Sequence, residues 1–135
     1  MQNDDNLEQL MYQVKGICMN IHRELGCGLL ESAYSKVLAH ALIKNGFQVK
    51  TECPISIKYD GIEIDNAFRA DIIVNDTLLI ELKAVEKILK VHHLQMGSYM
   101  QLGNFPAGLL VNFHSPNLRN EMFTQRLSDL NKRYL

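Results

Sequence analysis

Apolar residues recur at spacings of three and four from Leu7 through Leu10, Met11, Val14, Cys18 and Ile21 to Leu25, which predicts an amphipathic helix. Gly26-Cys27-Gly28 stops it. A second helix follows on Leu30, Ala33, Tyr34, Val37, Leu38, Ala41 and Leu42, with Asn45-Gly46 suited to a left-handed cap. From Phe47 the period falls toward two. Cys53, Ile55, Ile57 and Tyr59 alternate with polar neighbours, Pro54 marks an edge or strand start, and Asp60-Gly61 is a hairpin signal before Ile62 and Ile64. Two further strand-like runs, Phe68 to Val74 and Leu78 to Lys83, flank the turn-forming Asn75-Asp76-Thr77, giving three or four antiparallel strands. Val91 to Leu102 is helical again, and Leu109 to Phe113 is an apolar run of buried-strand type. The strands on either side of that helix are therefore expected to lie parallel. From Leu118 to Leu135 the pattern favours helix, with Glu121 to Leu127 as an alternative edge strand.

Composition narrows what this domain can be. A chain of 135 residues, 47% hydrophobic, fits one domain with one core. The opening segment 1–6 is polar and is expected to be disordered. It is unlike a secretory signal, and no apolar run approaches the ~18 residues of a membrane span, so a cytoplasmic protein with no membrane partner is expected. Cys18, Cys27 and Cys53 have neither disulfide-framework nor zinc-ligand spacing, and reduced, mostly buried thiols are expected. Fourteen basic against fifteen acidic side chains exclude a whole-molecule electrostatic grip on nucleic acid, though not a local basic patch.

The candidate chemistry lies in Asp71 and in Glu81-Leu82-Lys83. If Leu78, Ile80 and Leu82 face the core, Glu81 and Lys83 share the opposite face. Whether Asp71 joins them depends on register. A two-residue turn pairs Asp71 with Ile80, whereas a three-residue loop or one bulge pairs it with Glu81, with Cβ atoms ~5 Å apart. Two such carboxylates repel unless one is protonated or a divalent cation lies between them, and hard oxygen ligands suit Mg²⁺ or Mn²⁺. An ammonium at Lys83 would neutralise a scissile phosphate, which makes metal-assisted phosphodiester hydrolysis the matching reaction. A strand-end salt-bridge group uses the same residues.

Four motifs in order, Gly28-Leu29-Leu30-Glu31-Ser32-Ala33-Tyr34, Phe68-Arg69-Ala70-Asp71, Ile80 to Glu86 and Leu110-Val111-Asn112-Phe113, resemble the GxxExxY family of the PD-(D/E)XK nuclease superfamily. The resemblance runs from about Leu7 to Arg126. It implies an α/β fold with a restriction-endonuclease-like αβββαβ core, a mixed central sheet flanked by helices, and an extra N-terminal helix. It also implies Asp71 and Glu81 as metal carboxylates, Lys83 as the catalytic lysine and Glu31 as a further metal ligand. Glu31 alternatively serves as a carboxylate near the positive end of a helix, and Tyr34 reads as core packing.

Gln95 and Tyr99, four apart on one helix face, resemble the QxxxY motif found beside active sites in this superfamily. They would touch phosphate, water or substrate backbone, or else satisfy buried backbone groups. His92 as a general base competes with an exposed histidine at a helix start. Lys87, Lys90, His92 and His93 form either a phosphate-attracting patch or a solvated loop. The expected function is thus a metal-dependent nuclease acting on DNA or RNA through a metal-activated water, alone, as a homodimer or with a protein partner. The alternatives are a noncatalytic module binding nucleic acid, a nucleotide or a protein on the same scaffold, and a structural subunit.

Overall fold

A computed structural model describes the backbone of residues 2–133 and the side chains of residues 5–130. Helix α1 (Gln2–Leu25) and helix α2 (Glu31–Lys44) precede a long hairpin of β1 (Val49–Tyr59) and β2 (Ile62–Val74). Strand β3 (Leu78–Lys83), helix α3 (Lys90–Gly103) and strand β4 (Ala107–Asn112) follow. A short 3-10 turn (Leu118–Glu121), strand β5 (Met122–Arg126) and helix α4 (Leu127–Arg133) complete the order. The five strands lie in sequence order across one sheet, with β3 and β4 parallel and the other neighbours antiparallel.

Each face of the sheet has its own apolar layer. Leu10, Val14, Cys18, Leu38 and Leu42 of α1 and α2 pack on Ile72, Ile80, Leu82, Leu109 and Val111. Met96 and Met100 of α3, with Leu130 of α4, cover Ile73, Leu79 and Leu110 on the other side. Strand β4 is buried along its whole length. Its Gly108 lets α3 come close, because a Cβ there would sit 2.6 Å from Met100 Sδ and 2.9 Å from Met96 Sδ. The three thiols are unbridged, and only Cys18 is fully buried; burial pushes its pKa up to about 12. Among the described residues no helix is long and apolar enough to cross a membrane.

Three elements depart from the sequence reading. The Ile62–Ile64 and Phe68–Val74 runs are one strand, joined through an irregularity where Asn66 adopts φ 54°. Helix α1 begins at Gln2 and takes in most of the polar opening segment expected to be disordered; Met1 lies outside the described residues. The helix favoured from Leu118 is replaced largely by the 3-10 turn and β5, and only Leu127–Arg133 is helical. Met122 and Phe123 give the reason. They pack into opposite apolar layers, a period of two that lets the segment complete the open edge of β4. Tyr134 and Leu135 lie outside the described residues.

The β1–β2 ribbon also turns over. Ile72 and Val74 join the α1 and α2 layer, yet Phe68 and Ala70, of the same parity, join the α3 layer. The opposite strand changes sides at the same level, from Val49 to Cys53 and Ile55. Between the pairs Thr51↔Ile72 and Cys53↔Ala70 stand Glu52 and Asp71, and Glu52 is held at φ 46°. A left-handed residue in a strand bends and twists it locally. Asp71 therefore sits at the crossover point.

Candidate active site where β2 and β3 part

The β2–β3 turn sets the register on which the site depends. Asn75 and Asp76 are both left-handed, at φ 53°, and Thr77 N–H donates to Val74 O at 3.0 Å. Thr77 is one residue more than that tight turn needs, so Val74 pairs with Leu78 and Ile72 with Ile80. One step further, Asp71 stands opposite Glu81. Side chains there take over from backbone carbonyls as acceptors. Asp71 N–H donates to Glu81 Oε2 at 3.0 Å, and Leu82 N–H donates to Asp71 Oδ2 at 2.9 Å. The last rung between β2 and β3 is thus made by two carboxylates.

Glu81 is buried and shares the α3 face with Leu79 and Leu110. Loss of solvent and then the charge of Asp71 push its pKa from 4.5 up to about 8, against the pull of the Asp71 N–H and of Lys83. Asp71 is half-buried, and desolvation raises it too, opposed by the Leu82 N–H and Lys83 and assisted by Glu52. One proton held mainly on Glu81 near neutrality is the electrostatic consequence.

Glu31 arrives from the first position of α2. The residue is exposed, and its carboxylate lies near the Ala84 N–H, just beyond β3. Desolvation there and the Asp71 charge raise its pKa, while Lys83 opposes them. Tyr34 fixes the start of that helix. Fully buried and stacked on Phe113 at 4.5 Å, it donates from its hydroxyl to Gly26 O at 2.6 Å and accepts from Leu29 N–H at 3.1 Å. It is core, as the sequence reads, and it also ties down the loop leading to Glu31.

Tyr99 lies at the margin of the site, its ring stacked on Phe68 at 4.0 Å. Desolvation and then the charges of Glu81 and Asp71 raise its pKa. Gln95, one turn earlier on the same helix, is exposed and makes no side-chain hydrogen bond among the described residues. His92 serves its own helix, its Nδ1 accepting from Leu89 N–H at 2.9 Å, and His93 packs edge-on against Phe123. Only Lys87 and Lys90 of the basic run remain exposed and unengaged among the described residues.

Two residues escaped the sequence reading as parts of the site. Glu52 faces Asp71 from the left-handed position in β1; a charged residue just before Cys53-Pro54 was its faint signal. Asn112 is fully buried and locks the chain that follows Lys83. Its Nδ2 donates to Val85 O at 2.9 Å and to Glu121 Oε1 at 3.1 Å, and its Oδ1 accepts from Val85 N–H at 3.1 Å. A lone amide in the apolar run from Ala107 to Phe113 was the visible signal.

The structure thus brings Glu31, Asp71, Glu81 and Lys83 into one electrostatic neighbourhood, with Tyr99 at its edge. Among the described residues no three His, Cys, Asp or Glu side chains are close enough to hold an ion between them. The tight unit is the Asp71–Glu81 pair. A hard cation fits that pair chemically, because its charge would offset the loss of solvent and the Asp71 repulsion that together keep a proton on Glu81, and one or two carboxylates are a usual protein share of a Mg²⁺ shell. Neither comparison with curated proteins nor comparison with solved structures gives a match. A family model of the PD-(D/E)XK nuclease superfamily, however, matches residues 8–126, a span that contains every strand and the whole acidic cluster, and the chain belongs to that superfamily.

Proposed function

We propose that this protein is a metal-dependent nuclease, of the GxxExxY group, that hydrolyses phosphodiester bonds of DNA or RNA in the cytoplasm. The observation that carries the reading is the Asp71–Glu81 pair, one acid buried and the other half-buried, beside Lys83 at the end of two parting strands. A fold without chemistry at this point has no need of two carboxylates whose ionisation opposes burial. Asp71 and Glu81 would hold Mg²⁺ or Mn²⁺, with Glu31 approaching from α2. When bound, the ion would polarise a phosphate and lower the pKa of a water at the site.

The chain's own residues account for the remainder. Backbone N–H groups of Asp71 and Leu82 orient the two carboxylates before any substrate arrives. Lys83, which makes no side-chain hydrogen bond or ion pair among the described residues, offers its ammonium to the charge that builds on the phosphate oxygens. Tyr99 bounds the α3 side and would contact the substrate backbone, and Gln95, one turn away on the same helix, would hold a phosphate or a water.

The test is cleavage of plasmid, single-stranded DNA and RNA with Mg²⁺ or Mn²⁺ by wild type, Asp71→Asn and Lys83→Met. Cleavage by wild type and its loss in both variants are expected. A purified wild type that cleaves none of these substrates, or variants as active as wild type, would refute the proposal.

A further inference from the structure

Two polar side chains are buried among the described residues, Glu81 and Asn112. Glu81 belongs to the acidic pair. Asn112 stands on β4 as the register partner of Lys83, within a strand buried along its whole length, where an amide costs free energy unless it finds partners. All four hydrogen-bonding positions of that amide are filled. Oδ1 accepts from Val85 N–H at 3.1 Å and from His114 N–H at 3.3 Å, while Nδ2 donates to Val85 O at 2.9 Å and to Glu121 Oε1 at 3.1 Å. A buried network so fully satisfied rigidifies what it joins.

What it joins lies at the end of the strand that carries Glu81 and Lys83. Strand β3 ends at Lys83, whose C=O accepts from Phe113 N–H at 3.0 Å. Two residues on, the Asn112 side chain takes both backbone groups of Val85, as one further rung of the sheet would. Ala84 is thus held between two fixed peptide groups. Its N–H shares a trans peptide plane with the Lys83 C=O and so points away from β4, and the carboxylate of Glu31, at the first position of α2, lies near it.

We propose that Asn112 is a positioning residue of the nuclease site: by clasping Val85 it fixes the Ala84 N–H, and through it the Glu31 carboxylate, in the approach to the Asp71–Glu81 pair. Glu121 takes the remaining Nδ2 proton and keeps the amide from turning over, since an inverted amide would set a donor against the Val85 N–H. The kinetic consequence rests on the nuclease reading. The positioning itself is read from cation binding and from the Ala84 amide, both without substrate.

The swap Asn112→Asp/Glu121→Gln is the test. It keeps the size and net charge of the pair, exchanges donor and acceptor between the two residues, and leaves acceptors for the Val85 and His114 N–H groups. One bond is lost, the donation to Val85 O, which then faces a carboxylate. With folding checked by circular dichroism, Mn²⁺ affinity measured by calorimetry without substrate should fall about tenfold or more. In a Glu31→Gln background the swap should cost no further affinity, because Asn112 acts through Glu31. Without metal, Glu31→Gln should shift the Ala84 amide resonance in the otherwise wild-type chain and leave it unmoved in the swap. Cleavage should lose kcat by at least about tenfold with KM within about twofold. Coupling is reciprocal, so Mn²⁺ should slow hydrogen exchange of the Val85 amide in wild type by a similar factor, a readout that needs no variant. A wild type that binds Mn²⁺ but cleaves nothing removes the nuclease reading and leaves the positioning to calorimetry; one that binds no Mn²⁺ leaves it to the Ala84 resonance. A swap with wild-type affinity, losses that add in the Glu31→Gln background, an Ala84 shift that persists in the swap, or Val85 exchange indifferent to bound Mn²⁺ would each overturn the proposal.

Discussion

Replacing Glu81 by Gln isolates the cost of the buried acid. The carboxyl is raised from 4.5 to about 8, so at pH 8 much of the folded population still carries a proton that the unfolded chain has released. Each unit of that gap is worth about 1.4 kcal/mol, which places an upper bound of about 4 to 5 kcal/mol on the stability withheld at alkaline pH. Water drawn to the carboxylate recovers part of this. The amide of Gln can still accept from Asp71 N–H, but its own NH₂ needs a partner, at a cost of about 1 kcal/mol. A net gain of about 2 kcal/mol remains for Glu81→Gln at pH 8.

With an unfolding entropy of about 2.1 cal/mol/K per residue, that gain raises Tm by about 7 °C. The sign of the pH dependence follows from the direction of the shift. A folded pKa above the unfolded one favours folding below the unfolded pKa and loses that contribution as pH rises from 4.5 through about 8. The variant's advantage should therefore vanish near pH 4.5. Thermal unfolding in chelator at pH 4.5 and pH 8 measures it. A Glu81→Gln protein less stable than wild type at pH 8, or equally shifted at both pH values, would refute the electrostatic account of this site.

Other substitutions probe the supports. Tyr34→Phe keeps the stack on Phe113 but strands Gly26 O and Leu29 N–H, and should cost about 1 to 3 kcal/mol in urea unfolding. Asn112→Ala removes the two-way tie to Val85 and should cost about 2 to 4 kcal/mol by the same measurement, with exchange of the Val85 amide accelerated. Lys83→Met should lower any cleavage rate at least about 100-fold while leaving the denaturation midpoint nearly unchanged, a split read from kinetics and urea titration on one preparation.

Much of the fold is legible in the sequence because its burial is periodic. The two N-terminal helices, the hairpins and the parallel β3–β4 pair all follow from spacing. The C-terminal segment was not, since Met122-Phe123 reads as either part of a helical stripe or two adjacent strand positions until the open edge of β4 is in view. For the site, Glu81 and Lys83 follow from strand alternation, while Asp71 required the one additional residue at Thr77, a choice that composition of the turn leaves undecided. Asn112 stands out as the lone amide in an apolar run, but that it bonds the backbone of Val85 is legible only once the chain beyond β3 is in place.

The carboxylate rung between β2 and β3 changes how relatives of this protein should be judged. Asp71 and Glu81 each accept a backbone N–H that would otherwise lose its partner, so selection for folding alone preserves an oxygen at both positions after catalysis has gone. An acceptor oxygen kept there as an amide is then no witness to activity, whereas keeping both acids against the cost of burying them is, and alanine at either position disturbs the sheet together with the chemistry. Lys83 bears no such structural duty through its side chain among the described residues. Its presence or loss in a relative is the sharper sign of whether the phosphate is still being cut.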